Sequence, residues 1–493
     1  MAKKYLYGAA VQGIQSFIFR TNVLREIVAA SAEVQRICMD GSEGLFSQYE
    51  EPGGQSVIRA AGNVKYVFQT EAACRRAVLE FPKILMNHAP GISVSQAVVM
   101  MDGDGDFQRA SDELEKKLRE QRNRPSVGVR QFGLLGMQRV RRTGLPETLA
   151  AANGTMKKEM PQGMNLARTM FGEEMLQRAR TSNCIEDFIG QNDWMAIIHA
   201  DGNGLGQVVQ AIARDKDQFA KFSRNLDKAT CQAAQRAFTM LSEEQKVNAR
   251  GIIPMRPVVL GGDDLTLICR GDLALDFVGN YLECFEEETE TYLGDILKEN
   301  HLYGSRPHLT ACAGIAFIKS AYPFHYGYDL AETLCSQAKA DAKKEKHLVD
   351  NLAPSCLMFH KVQDSFIEDY TGIVQRELQP AEGETFCFGP YYLTDMEGRW
   401  TIDRLKEAAR CLDRSGEANA MKTHIRRWMS LKHRSNEAAV QLLKRAKSMC
   451  RSAEVRDLLD CATEGHKRDA VGTTAYVAYD LLAYHTILAQ ITK

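Results

Sequence analysis

The chain has 493 residues, a formal net charge of −1, 44% hydrophobic and 25% charged residues. That length suits about two to four domains, and the near-zero charge excludes a global basic field for nucleic acid, so any such contact is local or shared with partner subunits. No apolar stretch is long enough to span a bilayer, the opening MAKKYLYGAAVQG lacks a signal-peptide pattern, and the 13 cysteines are scattered without a CxxC pair, which together predict a cytoplasmic chain of reduced cysteines with no membrane partner.

In chain order, YLYGAAVQGIQSFIF reads as a strand, a small-residue turn and a helix start; SVIRAAGNVKYVFQT reads as a hairpin around Ala61-Gly62-Asn63-Val64. A helix over Glu71 to His88 and a strand in GISVSQAVVM follow. Residues 136 to 185 have a basic start and no clear period, and read as a connector. Arg139, Arg141 and Arg142 there suit either a solvated turn or a contact to a phosphate or RNA backbone.

The most informative stretch is DWMAIIHADGNGLGQVVQAIARD. An apolar run of strand length ends at Asp201, and Gly202, Asn203, Gly204 and Gly206 lead into a helical pattern. Such a turn exposes backbone N–H groups at the positive end of a helix and so suits a phosphate, although many tight turns share this composition. After a polar helical insert at about 215 to 250, MRPVVL and LTLICR flank Gly261-Gly262-Asp263-Asp264, the pattern of a hairpin. Two adjacent carboxylates at its tip are either an ordinary solvated turn or a site where something positive neutralises them. A helix with Phe277, Tyr281, Leu282 and Phe285 on one side, a strand in HLTACAGIAF and a helix in DLAETLCSQAKADAKKEKH complete the segment.

Strand, helix, hairpin, helix, strand is the βαββαβ order of a ferredoxin-like sheet of the palm type. In that topology the strand ending at Asp201 lies beside the hairpin, so Asp201, Asp263 and Asp264 converge. Three carboxylates beside a phosphate-binding turn suit hard divalent cations such as Mg²⁺. Lys339 and Lys343, four residues apart, share a helical face and suit the β- and γ-phosphates; Lys343, Lys344 and Lys346 equally suit a solvated helix end. The N-terminal region repeats this grammar without the carboxylates, since residues 5 to 19 hold no Asp or Glu and Asn63 and Val64 stand in place of the hairpin aspartates. That implies an internal duplication with one degenerate copy packed on the other. Beyond about residue 402 the chain reads as helices, and Lys422, His424, Arg426, Arg427, Lys432 and Arg434 are either a solvated face or an approach for RNA.

The expected fold is therefore α+β, two ferredoxin-like palm domains, the first degenerate and the second catalytic, followed by a helical bundle. The expected division is 1–135 degenerate palm, 136–190 connector, 191–350 palm with a helical insert, and 351–493 mainly helical. On GAAVQGIQSFIF, HADGNGLG, LGGDDLTLI and ACAGIAFIKSAYPF…AETLCSQAK, the chain resembles the large polymerase/cyclase-like subunit of type III CRISPR effector complexes. It is more distantly similar to the GGDEF diguanylate cyclases.

The resemblance implies Mg²⁺- or Mn²⁺-dependent conversion of ATP into cyclic oligoadenylate messengers in antiviral defence, with guide and target RNA and other effector-complex subunits as partners. It implies metal binding by Asp201, Asp263, Asp264 and Gly202, and nucleotide contacts from Gly202, Asn203, Gly204, Gly206, Gly261, Gly262, Lys339, Lys343 and Ser16. Two family features are expected to be missing: an HD nuclease domain, because no His-Asp dipeptide occurs, and an inter-palm zinc ribbon, replaced by RRTGLPETLA. A stand-alone relative is thus also consistent with the sequence. Asn203 stands where many relatives carry a second Asp, leaving a weaker metal hold and a base contact as its two readings. Two other functions stay open: a nucleotide-binding scaffold without turnover, and a homo-oligomeric cyclic-dinucleotide synthase that works without RNA.

Overall fold

A computed structural model describes residues 3–19, 21–39, 41, 44–60, 62–89, 92–124, 161–187, 189–190, 193–212, 215–363, 369–467 and 472–489. Arg139, Arg141 and Arg142 lie outside the described residues. The first sheet comprises β1 (Lys4–Gln12), β2 (Gln55–Ala60), β3 (Asn63–Phe68) and β4 (Ser93–Met101) in the order β2-β3-β1-β4. Every pairing in it is antiparallel. One face is covered by an aromatic cluster of Tyr7, Phe46, Tyr49, Tyr66, Phe68 and Phe81, and the other by the helix Phe107–Arg122 through Leu114 and Leu118.

The second sheet repeats the same order with β5 (Trp194–Gly202), β6 (Met255–Gly261), β7 (Asp264–Arg270) and β8 (Ala311–Lys319) as β8-β5-β7-β6. The chain is thus α+β with two palm domains. β5 is buried almost end to end, and its alternating side chains serve two cores. Ala196, Ile198 and Ala200 face the helices Lys216–Thr239 and Ala274–Glu299, where Phe277, Tyr281, Leu282 and Phe285 are all fully buried. Met195 and Ile197 face the helix Phe324–Ala342 and the first palm.

Two expectations change. The segment read as a polar insert, 215 to 250, contains a crossover helix of the palm itself: Lys216–Thr239 packs along Ala274–Glu299 through Ala229, Ala233, Ala234 and Ala237. An alanine stripe buries backbone closely without raising the hydropathy that marks a core helix. β9 (Cys356–Lys361) pairs parallel to β8, and so extends the palm sheet instead of opening the C-terminal part.

The two palms meet through the helices Ile14–Ile18 and Leu24–Cys38 of the first. Phe19 stacks on Tyr328 at 4.2 Å, Asn22 Oδ1 accepts from Phe324 N at 2.9 Å, and Ser31 Oγ donates to the Val258 carbonyl. The helix Phe324–Ala342 sits so close to β8 that a Cβ on Gly314 would lie 1.9 Å from the Ala331 carbonyl oxygen and 2.5 Å from Cys335 N. Gly314→Ala is therefore expected to destabilise by about 3 kcal/mol, because backbone and not a movable side chain fills the space; a urea denaturation midpoint measures it.

C-terminal helices Ile402–Cys411, Gly416–Lys432, Asn436–Met449, Ala453–Thr463 and Ala478–Leu488 share a core with the second palm. The basic patch foreseen there is partly consumed: Lys432 is buried on Glu384, and Lys422 pairs with Asp413. Asp480, fully enclosed, accepts from Tyr391 Oη at 2.7 Å, and burial pushes its pKa up to about 7. A carboxyl whose folded pKa is raised holds its proton longer in the native state, so stability falls as pH rises between about 4 and 7 and then levels. Asp480→Asn keeps an acceptor for Tyr391 and removes the titration. Between pH 5 and pH 8 the wild type should lose about 2–3 kcal/mol relative to that variant in denaturant titrations.

Candidate functional site

β5 and β7 are antiparallel neighbours, and Asp201 lies directly opposite Asp264. Directly opposed residues point to the same face of a sheet, here the face toward the first palm. β6 and β7 are joined by a two-residue loop, Gly262–Asp263, with Gly261 paired to Asp264. Gly262 has φ +64° and the following residue does not have positive φ, the φ pattern of a type II′ hairpin turn that calls for glycine first. At the end of β5, a Cβ on Gly202 would lie 3.1 Å from that of Asp263, so glycine lets the two tips approach.

The result is a cluster of Asp201, Asp263 and Asp264 in which one carboxylate oxygen from each lies within 4.8 Å of the others. Burial, then the charges of Asp264 and Asp201, push Asp263 well above the usual carboxylate range; burial and the charge of Asp201 push Asp264 up as well. Lys339 supplies the positive charge: its Nζ donates to Asp201 Oδ2 at 2.6 Å and to the Gly202 carbonyl at 2.7 Å. Burial opposes its charge, but the hydrogen bond and charge of Asp201 outweigh that and raise its pKa. The donor set fits a hard divalent cation: carboxylate oxygens plus a carbonyl oxygen, mutually repelling, with an ammonium already seated on two of them.

The remaining foreseen residues divide. Asn203 is fully buried, its N–H bonded to the Thr310 carbonyl at 2.7 Å and its amide donating to Thr310 Oγ1 and Cys312 Sγ. The side chain is thus committed to the core, turned away from the base contact foreseen for it. Gly204, at φ +82°, has its carbonyl held by Tyr303 Oη at 2.6 Å, and Gly206 is exposed in the first turn of the helix Leu205–Ile212. The helix carrying Lys339 ends at Ala342, so Lys343 is an exposed cap residue, and of the two lysines Lys339 reaches Asp201. Ser16 is exposed on the opening helix of the first palm, next to Gln15, whose Nε2 reaches Glu332 Oε1 at 3.4 Å.

Glu332 is a residue that the sequence reading missed. It precedes Lys339 by two helical turns on the same face, a spacing that could have flagged it, and its charge is felt at Asp264. His199, two residues before Asp201, is also missed; burial pushes it down to about 4, so it is a neutral imidazole, 3.3 Å from Thr266 Oγ1 and edge-on to Tyr328.

Comparison with known proteins agrees with the palm fold. Residues 194–348 match the family model described as Cas10/Cmr2, second palm domain. No curated protein sequence matches. Among solved structures, the crystal structure of a Csm1-Csm4 cassette in complex with cA4 contains a chain aligned at TM-score 0.58 and 13% identity, covering 100% of this chain and 70% of that one. The apo Csm1-Csm4 cassette aligns at TM-score 0.56 and 13% identity over 100% of this chain and 70% of that chain. The cassette in complex with one ATP aligns at TM-score 0.56 and 12% identity over 99% and 70%. At such identities the structural likeness concerns the fold, and the family assignment rests on residues 194–348. Residues 194–348 thus match the second palm domain of the Cas10/Cmr2 family, within a chain that shares its fold with a chain of the Csm1-Csm4 cassettes.

Proposed function

We propose that the protein is a divalent-cation-dependent nucleotidyltransferase that joins ATP into cyclic oligoadenylates, acting in type III CRISPR-like defence. The observation that carries this reading is the convergence of Asp201, Asp263 and Asp264 within 4.8 Å, with Lys339 seated on Asp201. A non-catalytic scaffold has no need of such a repelling cluster. The structural neighbours supply the substrate class, since Csm1-Csm4 cassettes have been crystallised with cA4 and with ATP. They also supply the partner class, a second subunit bound to the palm chain, with guide and target RNA following from the family resemblance.

In this reading Asp201, Asp263, Asp264 and the Gly202 carbonyl hold Mg²⁺ or Mn²⁺, which when bound offsets phosphate charge and lowers the pKa of an oxygen nucleophile. The end of the turn, Gly204–Gly206 at the start of the helix Leu205–Ile212, presents backbone N–H groups to phosphate, and Lys339 moves from Asp201 to the β- and γ-phosphates as a point charge. The 3′-oxygen of one nucleotide forms a bond to the α-phosphorus of the next; the α–β bridging P–O bond breaks, pyrophosphate leaves, and the hydroxyl proton passes to solvent. No side chain is assigned as general base, so positioning and electrostatics carry the rate. Ser16 and the first palm close the nucleotide pocket. We take 1–135, 136–190, 191–350 and 351–493 as the functional divisions, with β9 counted to the palm.

The test is incubation of the purified chain with each NTP and Mg²⁺, with and without RNA, and mass spectrometry of the products. Cyclic oligoadenylate made from ATP supports the reading. Absence of any product under all conditions, Mn²⁺ included, turns it to a nucleotide-binding scaffold.

A further inference from the structure

The hairpin tip that carries Asp263 is poorly suited to hold a carboxylate still. Two successive glycines precede it, at φ +154° and +64°, and glycine gives the backbone its greatest freedom. Repulsion from Asp201 and Asp264 pushes on the same tip. Yet a metal or reacting group needs its ligands placed to within about 0.5 Å. Something outside the hairpin must fix it.

The fixing groups come from the helix Lys216–Thr239, the crossover helix that packs beside β6. Asp227 Oδ1 accepts from the Gly262 N–H at 2.9 Å, and Thr230 Oγ1 donates to the Gly262 carbonyl at 2.6 Å. Three residues apart, these side chains lie on one helical face. Between them they pin both peptide planes that flank Gly262, and the second of those planes leads directly into Asp263.

Three details set this pair apart from incidental packing. Thr239, Thr291 and Thr333 each donate to the carbonyl four residues back on their own helix, the usual habit of a helical threonine. Thr230, fully buried, instead reaches to the hairpin. The Asp227 carboxylate lies so close that a Cβ on Gly261 would sit 2.8 Å from its Oδ1, which accounts for the first glycine of the Gly-Gly pair. Burial also raises the Asp227 pKa, against the lowering effect of the Gly262 N–H. An acidic group is therefore kept in a costly place.

We propose that Asp227 and Thr230 are positioning residues that lock the Gly262 peptide units and so hold Asp263 in place to bind the divalent cation. This inference rests on the metal–nucleotide reading given above. Neither residue touches the cation or substrate; each acts through the hairpin backbone.

The test is Mn²⁺ binding to the full chain, followed by electron paramagnetic resonance of free Mn²⁺, with folding checked for each variant by circular dichroism and denaturation midpoint. Asp227→Ala and Thr230→Val should each weaken Mn²⁺ binding about tenfold while folding is kept. Asp227→Asn, which retains the acceptor, and Thr230→Ser, which retains the donor, should stay within about twofold of wild type. Asp227→Ala/Thr230→Val together should lose little more than the weaker single variant, because both act on one residue's backbone. Thr230→Val is nearly isosteric and keeps the question answerable if Asp227→Ala does not fold.

Wild-type affinity in Asp227→Ala and Thr230→Val overturns the proposal, as does an equal loss in the Asn and Ser variants. The control Asp263→Ala/Asp264→Ala separates the two levels of the argument. If it loses Mn²⁺ while the Asp227 and Thr230 variants do not, the metal site stands and the positioning role falls. If it binds Mn²⁺ as wild type does, the metal reading itself fails.

Discussion

Asp263→Ala/Asp264→Ala should abolish nucleotide joining, by at least about 1,000-fold, and yet raise the stability of the metal-free protein. The first effect follows from losing two of three side-chain cation ligands, since a bound cation supplies several kcal/mol of charge stabilisation. The second follows from like charges held together: three carboxylates lie within 4.8 Å of one another, and Asp263 and Asp264 are both pushed to hold their protons. At an effective dielectric of about 20, each ionised pair at such a distance costs up to about 4 kcal/mol. Partial protonation and the Lys339 ammonium already relieve part of this. The double variant should gain about 1–3 kcal/mol in EDTA, read as a higher urea midpoint. A variant that loses both activity and stability would mean that the cluster serves the fold.

Lys339→Met should show the opposite pattern, unstable without a cation and restored by one. Lys339 is the positive charge against Asp201, and both groups are mostly shielded, with side-chain exposures of 20% and 32%. Removing one partner of a half-buried pair leaves an uncompensated charge, here expected to cost about 2 kcal/mol in EDTA after allowance for the remaining solvent. Saturating Mn²⁺ should recover most of that loss, because the cation takes over the Asp201 oxygen and the Gly202 carbonyl that Lys339 held. Turnover should still fall about 100-fold, since the same lysine is assigned to the triphosphate. Equal destabilisation with and without Mn²⁺ would show that Lys339 and the cation do not compete for one place.

The parts of the fold that the sequence disclosed are those whose signals are local. Apolar runs bounded by glycine placed β5, the Gly261–Asp264 hairpin and β8, and the repeat of that order at lower definition disclosed the first palm. The helix Lys216–Thr239 reads as helical but as an insert, because its buried stripe is alanine, whose burial depends on how closely Ala274–Glu299 approaches. β9 falls beyond the boundary drawn at residue 350 because a parallel pairing with β8 has no local mark.

The site shows the same division. Asp201, Asp263 and Asp264 could be brought together on paper because the βαββαβ order fixes which strands are neighbours. Asn203, read as a nucleotide contact from its place in the glycine-rich turn, has a side chain whose partner Thr310 is 107 residues away. Lys343 keeps the helical spacing, its N–H bonded to the Lys339 carbonyl, but it is the exposed cap residue of the two, and Lys339 is the one that reaches Asp201. Asp227 and Thr230 gave no signal at all: their importance arises only where a helix meets the back of a hairpin.

Co-crystals of the protein grown with Mn²⁺ and a non-hydrolysable ATP analogue test the central claim most directly, through the anomalous scattering of manganese. The account predicts an anomalous peak bounded by the carboxylates of Asp201, Asp263 and Asp264, with Lys339 Nζ withdrawn from Asp201 toward the triphosphate. An analogue bound elsewhere, or a cluster without manganese and with Lys339 still on Asp201, would contradict it.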